Sequence, residues 1–381
     1  MSWASVTLGE VSTNIQTGPF GSQLHQSDYS DGGVPVVMPK DLVDGHISED
    51  SIARVSMSHV DRLSRHKIEV GDILYSRRGD VGRCAFATEV EQGWLCGTGC
   101  LRVTIDQSKA IPKFIFYQLQ KAETIGWVEK HAVGSTMLNL NTSILGSVPI
   151  ELPSMAEQQM IVHVLSAYDD LIENNQKQIK LLEEAAQRLY KEWFVDLRFP
   201  GHENVKIVDG VPEGWENASV TDLLEIRYGK DHKGLADGCI PVYGSGGIMR
   251  KVDKILYSGE SVLIPRKGSL NNILLVSGDF WTIDTMFYSV PKRPNVAKYV
   301  YLYLTGIDMY AMNIGAAVPS MSVKILDGMR LLCPSDSILE LFETTAKPYY
   351  EMIELLKKKQ SMLGETRDRL LPKLMSGDIE V

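Results

Sequence analysis

The chain has 381 residues, of which 44% are hydrophobic and 23% are charged, and its formal net charge is −9. This length favours two to three domains. The negative charge argues against a general nucleic-acid binder without excluding a local basic patch. No run of 18 apolar residues and no N-terminal signal pattern is present, which predicts a cytoplasmic protein that does not span a membrane. The five cysteines, odd in number and without a C-x-x-C pair, predict buried free thiols and no metal site.

Residues 1–153 form the first predicted globular segment. Gly, Val, Ile and Tyr are frequent there, and turn signals such as DGG (31–33) and EQG (91–93) recur. This composition is typical of short strands joined by polar loops. The run IPKFIFYQL (111–119) is compatible with a helix and with a buried strand, because a short apolar run has no decisive period.

Three polar loops of this segment hold candidate binding residues. The stretch YSRRGDVGR (75–83) places two adjacent cations before a glycine. Arg can chelate guanine and Asn can chelate adenine in the DNA major groove, whereas Lys and Ser more often contact phosphates. Solvated turns and capping are the simpler alternatives for the same positions. The candidates are Arg77, Arg78 and Arg83 in this loop, Ser135, Thr136, Asn139 and Asn141 in GSTMLNLN (134–141), Ser22 and Gln23 in TGPFGSQLHQSDY (17–29), and Lys40.

Residues 154–199 contain a long predicted helix. Ser154-x-x-Glu157 is a capping box, which marks a helix start. Seam residues then follow at alternating steps of four and three, which is a heptad pattern with one polar member, Asn175. The helix covers about 40 residues, or roughly 60 Å at 1.5 Å per residue. The seam consists of Ile161, Leu165, Tyr168, Ile172, Asn175, Ile179, Leu182, Ala186, Leu189 and Trp193.

Residues 200–335, a linker followed by a second globular segment, repeat the features of the first segment in the same order. VAKYVYLYL (296–304) matches IPKFIFYQL, and IGAAVPSMSVKIL (314–326) matches VGSTMLNLNTSIL (133–145). MRLLCPS (329–335) matches VPIELPS (148–154). The last two pairs share an offset of 181 positions, so the sequence indicates an internal duplication.

The second segment contains its own version of the basic loop. IPRKGSLNN (264–272) again places two cations before a glycine, and RYGKDHKG (227–234) is the weaker counterpart of the TGPF stretch. Recurrence in both halves favours DNA contact over solvated turns for these positions. The candidates are Arg266, Lys267, Ser269, Asn271, Asn272, Lys230, Lys233, Ser320, Ser322 and Lys324.

Residues 336–381 contain the second long predicted helix. Ser337-x-x-Glu340 reads as its capping box, and Pro348 is expected to kink or delay it. Adding 181 to the first seam gives the second, which Gln360 and Arg367 weaken. It consists of Phe342, Ala346, Tyr349, Ile353, Leu356, Gln360, Leu363, Arg367, Leu370 and Leu374.

Two such seams in one chain predict an antiparallel intramolecular coiled coil. The simplest register places Ile161 opposite Leu374, which brings Asn175 opposite Gln360 as a hydrogen-bonded polar pair that fixes the register. The predicted fold class is α+β, with two globular α/β domains in tandem pseudo-repeat that are separated by the two long helices. One turn of B-DNA measures about 34 Å, so a rod of this length suits two reading heads on one duplex.

The sequence lacks the familiar catalytic motifs. There is no G-x-x-x-x-G-K-[ST] phosphate loop, no H-E-x-x-H and no G-x-S-x-G elbow. The aromatic tetrapeptide of amino-methyltransferases is missing as well, and the eight histidines are scattered. We therefore predict a protein that is not an enzyme.

The chain resembles the specificity subunit of type I restriction–modification systems. The resemblance rests on TGPFGSQLHQSDY, VPVVMPKDL (34–42), ILYSRRGDVGRCA (73–85), VGSTMLNLN, LPSMAEQQMIVHVL (152–165) and RLLPKLMSGDIEV (369–381), which stand in family order over almost the whole chain. The second half departs from the pattern, since it lacks a GPFGS-type opening and the equivalent of Glu157-Gln158.

This resemblance implies an architecture and a set of partners. Residues 1–153 and 200–335 would hold two target-recognition domains, each reading half of a bipartite, asymmetric sequence in double-stranded DNA. Residues 154–199 and 336–381 would be the helices whose length sets the gap. The subunit would dock two methyltransferase (M) subunits and, through them, restriction (R) subunits. S-adenosylmethionine, ATP and Mg²⁺ would be used by those partners, and this chain would need no cofactor.

Two alternatives to a DNA-specificity subunit remain at this stage. One is an assembly or decoy protein that binds the methyltransferase without base readout. The other is an enzyme with an unrecognised motif, which binding of S-adenosylmethionine by the isolated chain would favour.

Overall fold

The computed structural model describes residues 3–20, 23–134, 138–315 and 317–379, and the chain divides into two compact units. Unit 1 comprises residues 1–174 and 360–381, and unit 2 comprises residues 175–359. Two long helices, α5 (Met155–Tyr190) and α9 (Asp336–Met375), each contribute residues to both units.

The described part of unit 1 is built from short strands and four helices before α5. Its strands are β1 (Ala4–Thr7), β2 (Ser12–Thr17), β3 (Tyr29–Ser30), β4 (Val34–Val37), β5 (Leu42–Val43), β6 (His46–Ile47), β7 (Ala53–Val55), β8 (Ile73–Ser76), β9 (Cys84–Phe86), β10 (Leu95–Cys96), β11 (Cys100–Ile105) and β12 (Pro149–Leu152). Its helices are α1 (Met57–Arg62), α2 (Pro112–Leu119), α3 (Ala122–His131) and α4 (Thr142–Gly146).

Unit 2 has a similar inventory before α9. Its strands are β13 (Ile207–Val208), β14 (Val211–Pro212), β15 (Glu216–Ser219), β16 (Leu224–Tyr228), β17 (Asp237–Gly244), β18 (Gly247–Val252), β19 (Tyr257–Ser258), β20 (Ser261–Pro265), β21 (Leu274–Val276), β22 (Asp279–Thr282), β23 (Met286–Pro291) and β24 (Arg330–Cys333). Its helices are α6 (Val220–Leu223), α7 (Val296–Thr305) and α8 (Val323–Gly328).

The sheets of the two units follow one plan. Unit 1 has an antiparallel sheet in the order β2-β11-β8-β9, and unit 2 has its counterpart in the order β16-β23-β20-β21. In each unit a second sheet contains one parallel pair, β4 with β10 and β17 with β22. Each unit also pairs an early strand antiparallel with its last strand, β1 with β12 and β15 with β24. The predicted tandem repeat is confirmed.

In each unit, a buried strand of the antiparallel sheet and one apolar helix contribute to the hydrophobic core. β8 and β20 are buried along their whole length, because their side chains are apolar or small on both faces. The ambiguous runs 111–119 and 296–304 are helices α2 and α7, and their apolar faces pack into the main core of unit 1 and unit 2 respectively. No described helix is long and apolar enough to cross a membrane.

Helix α5 begins as predicted and carries the predicted seam. The Ser154 hydroxyl accepts from the Glu157 amide at 3.3 Å, and the Glu157 carboxylate accepts from the Ser154 amide at 2.9 Å, which confirms the capping box. The alternating steps of four and three place all seam residues on one side of the helix, and each of them is buried or half-buried. These residues are Ile161, Leu165, Ile172, Asn175, Ile179, Leu182 and Leu189 on α5, and Ile353, Leu356, Gln360, Leu363 and Leu370 on α9.

Within each unit, the two long helices pack through this seam. In unit 1, Ile161, Leu165 and Leu374 belong to one hydrophobic core. In unit 2, Ile179, Ile353 and Leu356 form a separate cluster with Leu182 at its edge. A π-helical turn, Lys191–Val195, follows α5 and places the Trp193 ring 5.7 Å from the Phe342 ring. This ring pair matches the predicted antiparallel register. The pairing of Asn175 with Gln360 stays a prediction, since the two residues belong to different units.

Three local predictions are wrong. Helix α9 begins at Asp336, so Ser337 lies inside its first turn and is not the capping residue. Pro348 does not delay the helix, which begins twelve residues earlier, whereas the alternative of a kink at Pro348 stays a prediction. Finally, Cys239 is exposed, because it lies on the solvent-facing part of β17, whereas Cys84, Cys96, Cys100 and Cys333 are buried as predicted.

Candidate functional site

The basic loop of unit 1 (Arg77–Arg83) leaves the buried strand β8 and is held by main-chain hydrogen bonds. The Arg77 amide donates to the Gly99 carbonyl at 2.8 Å, and the Leu140 amide donates to the Arg77 carbonyl at 2.9 Å. The Gly79 amide donates to the Leu138 carbonyl at 3.1 Å, with a φ of 74° at Gly79 that favours glycine. The basic loop is therefore bound to residues 138–140, which belong to the GSTMLNLN stretch.

The Arg77 side chain is fixed as well. Its Nε donates to the Leu140 carbonyl at 3.1 Å, and its guanidinium carbon lies 5.3 Å from the centre of the Phe20 ring. Phe20 is 49% exposed, so this cation–π pair lies at the surface. Partial burial and, second, the neighbouring Arg78 lower the pKa of Arg77, but a guanidinium remains charged at neutral pH.

Close packing of two backbones sets the position of Phe20. A Cβ at Gly18 would collide with the Gly97 carbonyl oxygen, so only glycine allows this approach. The Gly18 amide donates to the Cys100 carbonyl at 3.0 Å, and the Thr98 hydroxyl donates to the Pro19 carbonyl at 2.7 Å. We call residues 18–20 the glycine loop of unit 1.

The basic loop of unit 2 (Arg266–Asn272) is held in the same way after β20. The Met321 amide donates to the Arg266 carbonyl at 2.9 Å, and the Gly268 amide donates to the Pro319 carbonyl at 2.9 Å. Pro319 and Met321 stand 181 positions after Leu138 and Leu140, the offset found in the sequence. Gly268 has a φ of 89°, similar to that of Gly79.

The first arginine of this loop also lies over an aromatic ring. The Arg266 guanidinium carbon is 5.4 Å from the centre of the Tyr228 ring, and Tyr228 is 56% exposed. The Arg266 Nη1 donates to the Asp284 carbonyl at 3.1 Å. Gly229 is the counterpart of Gly18, because a Cβ there would collide with the Ile283 carbonyl oxygen. We call residues 229–233 the glycine loop of unit 2.

Each unit therefore presents two cations of different character. Arg77 and Arg266 are half-buried and oriented by hydrogen bonds and by an aromatic ring. Arg78 and Lys267 follow directly and are exposed. An oriented guanidinium suits a directed, bidentate contact, whereas an exposed cation suits a contact with a diffuse negative charge.

Several other predicted residues already use their polar atoms within the fold. Asn141 Oδ1 accepts from the Ile144 amide at 2.8 Å and caps α4, and Ser322 caps α8 in the same way. Asn271 binds the Met309 amide and the Asp308 carboxylate, and Asn272 donates to the Ser245 carbonyl at 2.8 Å. These residues were predicted to bind DNA, but their polar side chains also serve to cap helices and to hold loops in place.

The remaining predicted residues are spread around the loops. Arg83 pairs with Asp80 at 2.6 Å, and Lys40 donates to the Ser51 carbonyl at 2.8 Å. Asn139 and Ser320 face Arg78 and Lys267 across isolated bridges. Residues Lys230, Lys233, Ser269 and Lys324 are exposed, and Gln23 accepts from the Phe20 amide at 3.4 Å. Ser22, Ser135 and Thr136 lie outside the described residues.

Sequence reasoning missed the two aromatic residues, Phe20 and Tyr228. A signal was present, since each adjoins a glycine that the fold requires, but Phe20 follows Gly18 by two positions and Tyr228 precedes Gly229 by one. This difference in order hid the correspondence. Among the described residues, no group of three His, Cys, Asp or Glu side chains is placed to hold a metal ion.

Comparison with known proteins agrees with this architecture. Residues 1–184 match the family model described as "Type I restriction modification DNA specificity domain". The chain is 26% identical over 392 residues to the MjaIX specificity subunit of Methanocaldococcus jannaschii, with 93% of this chain and 88% of the relative covered. It is 22% identical to the HindI specificity subunit of Haemophilus influenzae, with 99% of each covered.

A solved structure shows the same fold. The crystal structure of the type I restriction–modification S subunit from M. genitalium aligns with a TM-score of 0.59 at 18% identity, covering 98% of this chain and 96% of that one. The duplicated domains and the long helices are therefore the fold of that S subunit. Residues 1–184 thus match a type I restriction–modification DNA specificity domain, and the chain is similar over nearly its whole length to specificity subunits of these systems.

Proposed function

We propose that this chain reads a bipartite, asymmetric sequence in double-stranded DNA, with one half-site recognised by each unit. The observation that carries the proposal is the repeated frame, in which a basic loop is bonded to a second loop and its first arginine lies over an exposed aromatic ring. The frame is the same in both units while the side chains around it differ. One chain can thereby present two related but unequal reading surfaces.

The chemistry of the loops matches the two tasks of a DNA reader. Arg77 and Arg266 are oriented, and an oriented guanidinium can chelate O6 and N7 of guanine in the major groove. Arg78 and Lys267 are exposed at the next position and can neutralise phosphates, which fixes the register on the duplex. Since the whole chain carries a charge of −9, binding has to be concentrated at such local patches.

The long helices supply the second part of the proposal. α5 has 36 residues, or about 54 Å at 1.5 Å per residue, so the number of helical residues can set the gap between half-sites. We further propose that the chain docks two methyltransferase subunits and, through them, restriction subunits. S-adenosylmethionine, ATP and Mg²⁺ would then be used by those partners in the cytoplasm.

The test is adenine-methylation mapping in cells that express this chain together with its neighbouring methyltransferase subunit. We expect a bipartite motif with a fixed gap that disappears when this chain is deleted. The double variant Arg77→Ala/Arg78→Ala should lose or relax one half-site and leave the other unchanged. The double variant Arg266→Ala/Lys267→Ala should affect the opposite half-site.

Two results would contradict the proposal. A motif that persists without this chain would mean that another protein reads the DNA. An active complex without any motif would favour the assembly or decoy function. Lys358→Ala/Lys359→Ala is the matched control, since it removes two adjacent cations from a helix of unit 2, outside its loops, and should leave the motif intact.

A further inference from the structure

Strand β18 displays two adjacent apolar side chains to solvent, close to the turn that joins it to β17. Ile248 is 61% exposed and Met249 is 56% exposed. Neighbouring residues of a strand normally point to opposite faces, but the pairing shifts register between Val242 and Tyr243. Val242 opposes Arg250 and Tyr243 opposes Ile248, so Met249 is the extra residue of a bulge. The bulge exposes both side chains together.

This turn is attached to the basic loop of the same unit. Asn272 Nδ2 donates to the Ser245 carbonyl at 2.8 Å. A Cβ at Gly268 would lie 2.9 Å from the Ser245 hydroxyl, so the two loops approach each other closely. Ile248 and Met249 follow Ser245 by three and four positions, on the strand that leaves this turn, and Arg266 and Lys267 directly precede Gly268.

Unit 1 has the same strand pair but a different connection. β4 pairs antiparallel with β7 and parallel with β10, as β17 pairs with β18 and β22. The turn in unit 2 consists of residues 245–246, whereas residues 38–52 connect the strands in unit 1 and contain Lys40 and several acidic residues. The basic loops are equivalent in the two units. The segments that join the paired strands, residues 38–52 in unit 1 and residues 245–246 in unit 2, differ in length and in side chains.

We propose that Ile248 and Met249 are specificity-determining residues that contact thymine methyl groups in the half-site read by unit 2. The proposal rests on the proposed function. Apolar side chains recognise thymine through its C5-methyl group in the major groove. DNA is the favoured occupant because the turn is continuous with the basic loop and because the exposed Lys251 follows on the same strand.

The test compares binding of the assembled complex to its mapped target with thymine or with deoxyuridine in this half-site. Deoxyuridine removes only the methyl group, and we expect about a four-fold loss of affinity at one position for the unchanged protein. The variant Ile248→Ser/Met249→Ser should bind both DNAs equally, with the other half-site unaffected. Ile207→Ser, which changes another exposed isoleucine, on β13, is the control and should retain the four-fold preference.

The outcomes separate this inference from the proposed function. A bipartite motif that has no thymine in this half-site, or a preference for thymine that survives in the double variant, would overturn the inference alone. Loss of co-purification with the methyltransferase would assign the turn to a protein contact and would also overturn it. Absence of any motif in the unchanged complex would overturn both proposals.

Discussion

Asp169 on α5 and Arg367 on α9 form a hydrogen-bonded ion pair of 2.9 Å beside the seam of unit 1. Asp169 is only 7% exposed, and it also accepts from the Tyr117 hydroxyl at 2.5 Å and lies 3.8 Å from the Lys113 ammonium. The carboxylate thus connects both long helices to α2 within unit 1. Arg367, which weakens the apolar seam in the sequence, is a structural partner in the fold.

We expect Asp169→Asn to loosen unit 1 locally. The change removes the buried carboxylate that faces both Lys113 and Arg367, and should lower the local free energy of opening by about 2 kcal/mol. Hydrogen exchange in α2 and in residues 160–170 should accelerate roughly thirty-fold. Asp170→Asn, at the exposed neighbouring position, removes only a solvent-screened charge near Lys113 and should change exchange far less. Equal exchange in both variants would show that the ion pair does not hold α2.

Removal of the aromatic rings should affect readout more than stability. Phe20→Ala and Tyr228→Ala delete exposed side chains, so unfolding should change little. Each deletion removes the ring that orients one arginine. The difference in binding free energy between the correct base and a wrong base in the corresponding half-site should therefore fall by about 1 kcal/mol or more. Binding to DNA with single-base changes measures this effect. Unchanged discrimination would mean that the rings do not orient Arg77 and Arg266.

Removal of an exposed cation should change affinity without changing sequence preference. Arg78→Ala or Lys267→Ala should weaken binding to all DNA sequences alike and reduce the slope of log affinity against log salt concentration by about 1. Titrations of the assembled complex at several salt concentrations give this slope. If either variant alters the methylation motif, the residue reads bases and our assignment to phosphate is incorrect.

Helix length should control the spacing of the target. An insertion of four residues within 174–178 should lengthen the accepted gap and leave both half-sites unchanged. Methylation mapping of the variant reports the gap directly. The same insertion at the turn around Gly201 lies outside α5 and should leave the gap as it is. If the insertion within 174–178 leaves the gap between the half-sites unaltered, helix length does not set that gap.

Thiol chemistry gives a simple check of the fold. Only Cys239 is exposed among the five cysteines, while burial raises the pKa of Cys84 and Cys96 to about 12 and so suppresses their thiolates. A thiol reagent at pH 8 should label one cysteine of the native protein and five after unfolding. Cys239→Ser should abolish native labelling, and rapid labelling of a second thiol would contradict the described burial.

The sequence predicted the features that depend on periodicity and on repetition. The heptad seam, the capping box at Ser154 and the 181-residue offset all appear in the structure, because each reflects a regular spacing that the chain must keep. It failed where an irregular contact decides the outcome. Asp336 begins α9 one residue before Ser337, and the partner of Arg367 lies 198 positions away.

The candidate site was predictable only in outline. The basic loops stood out because two cations before a glycine occur twice, but nothing local indicated that Arg77 lies over Phe20, a residue 57 positions earlier. Asn141 and Ser322 looked like ligand-binding residues because helix caps and DNA readers use the same short polar side chains. Burial and hydrogen-bond partners distinguish a helix-capping residue from one that is free to bind a ligand, and neither property can be read directly from the sequence.

The bonds that join each basic loop to its neighbour run largely between peptide groups: Leu140 to Arg77, Gly79 to Leu138, Met321 to Arg266 and Gly268 to Pro319. A peptide group is the same whatever side chain it bears. Substitutions at the exposed positions of these loops can therefore accumulate without disturbing the architecture beneath them. The exposed side chains of both basic loops are therefore the part of the protein that single changes can alter most freely while the fold is kept.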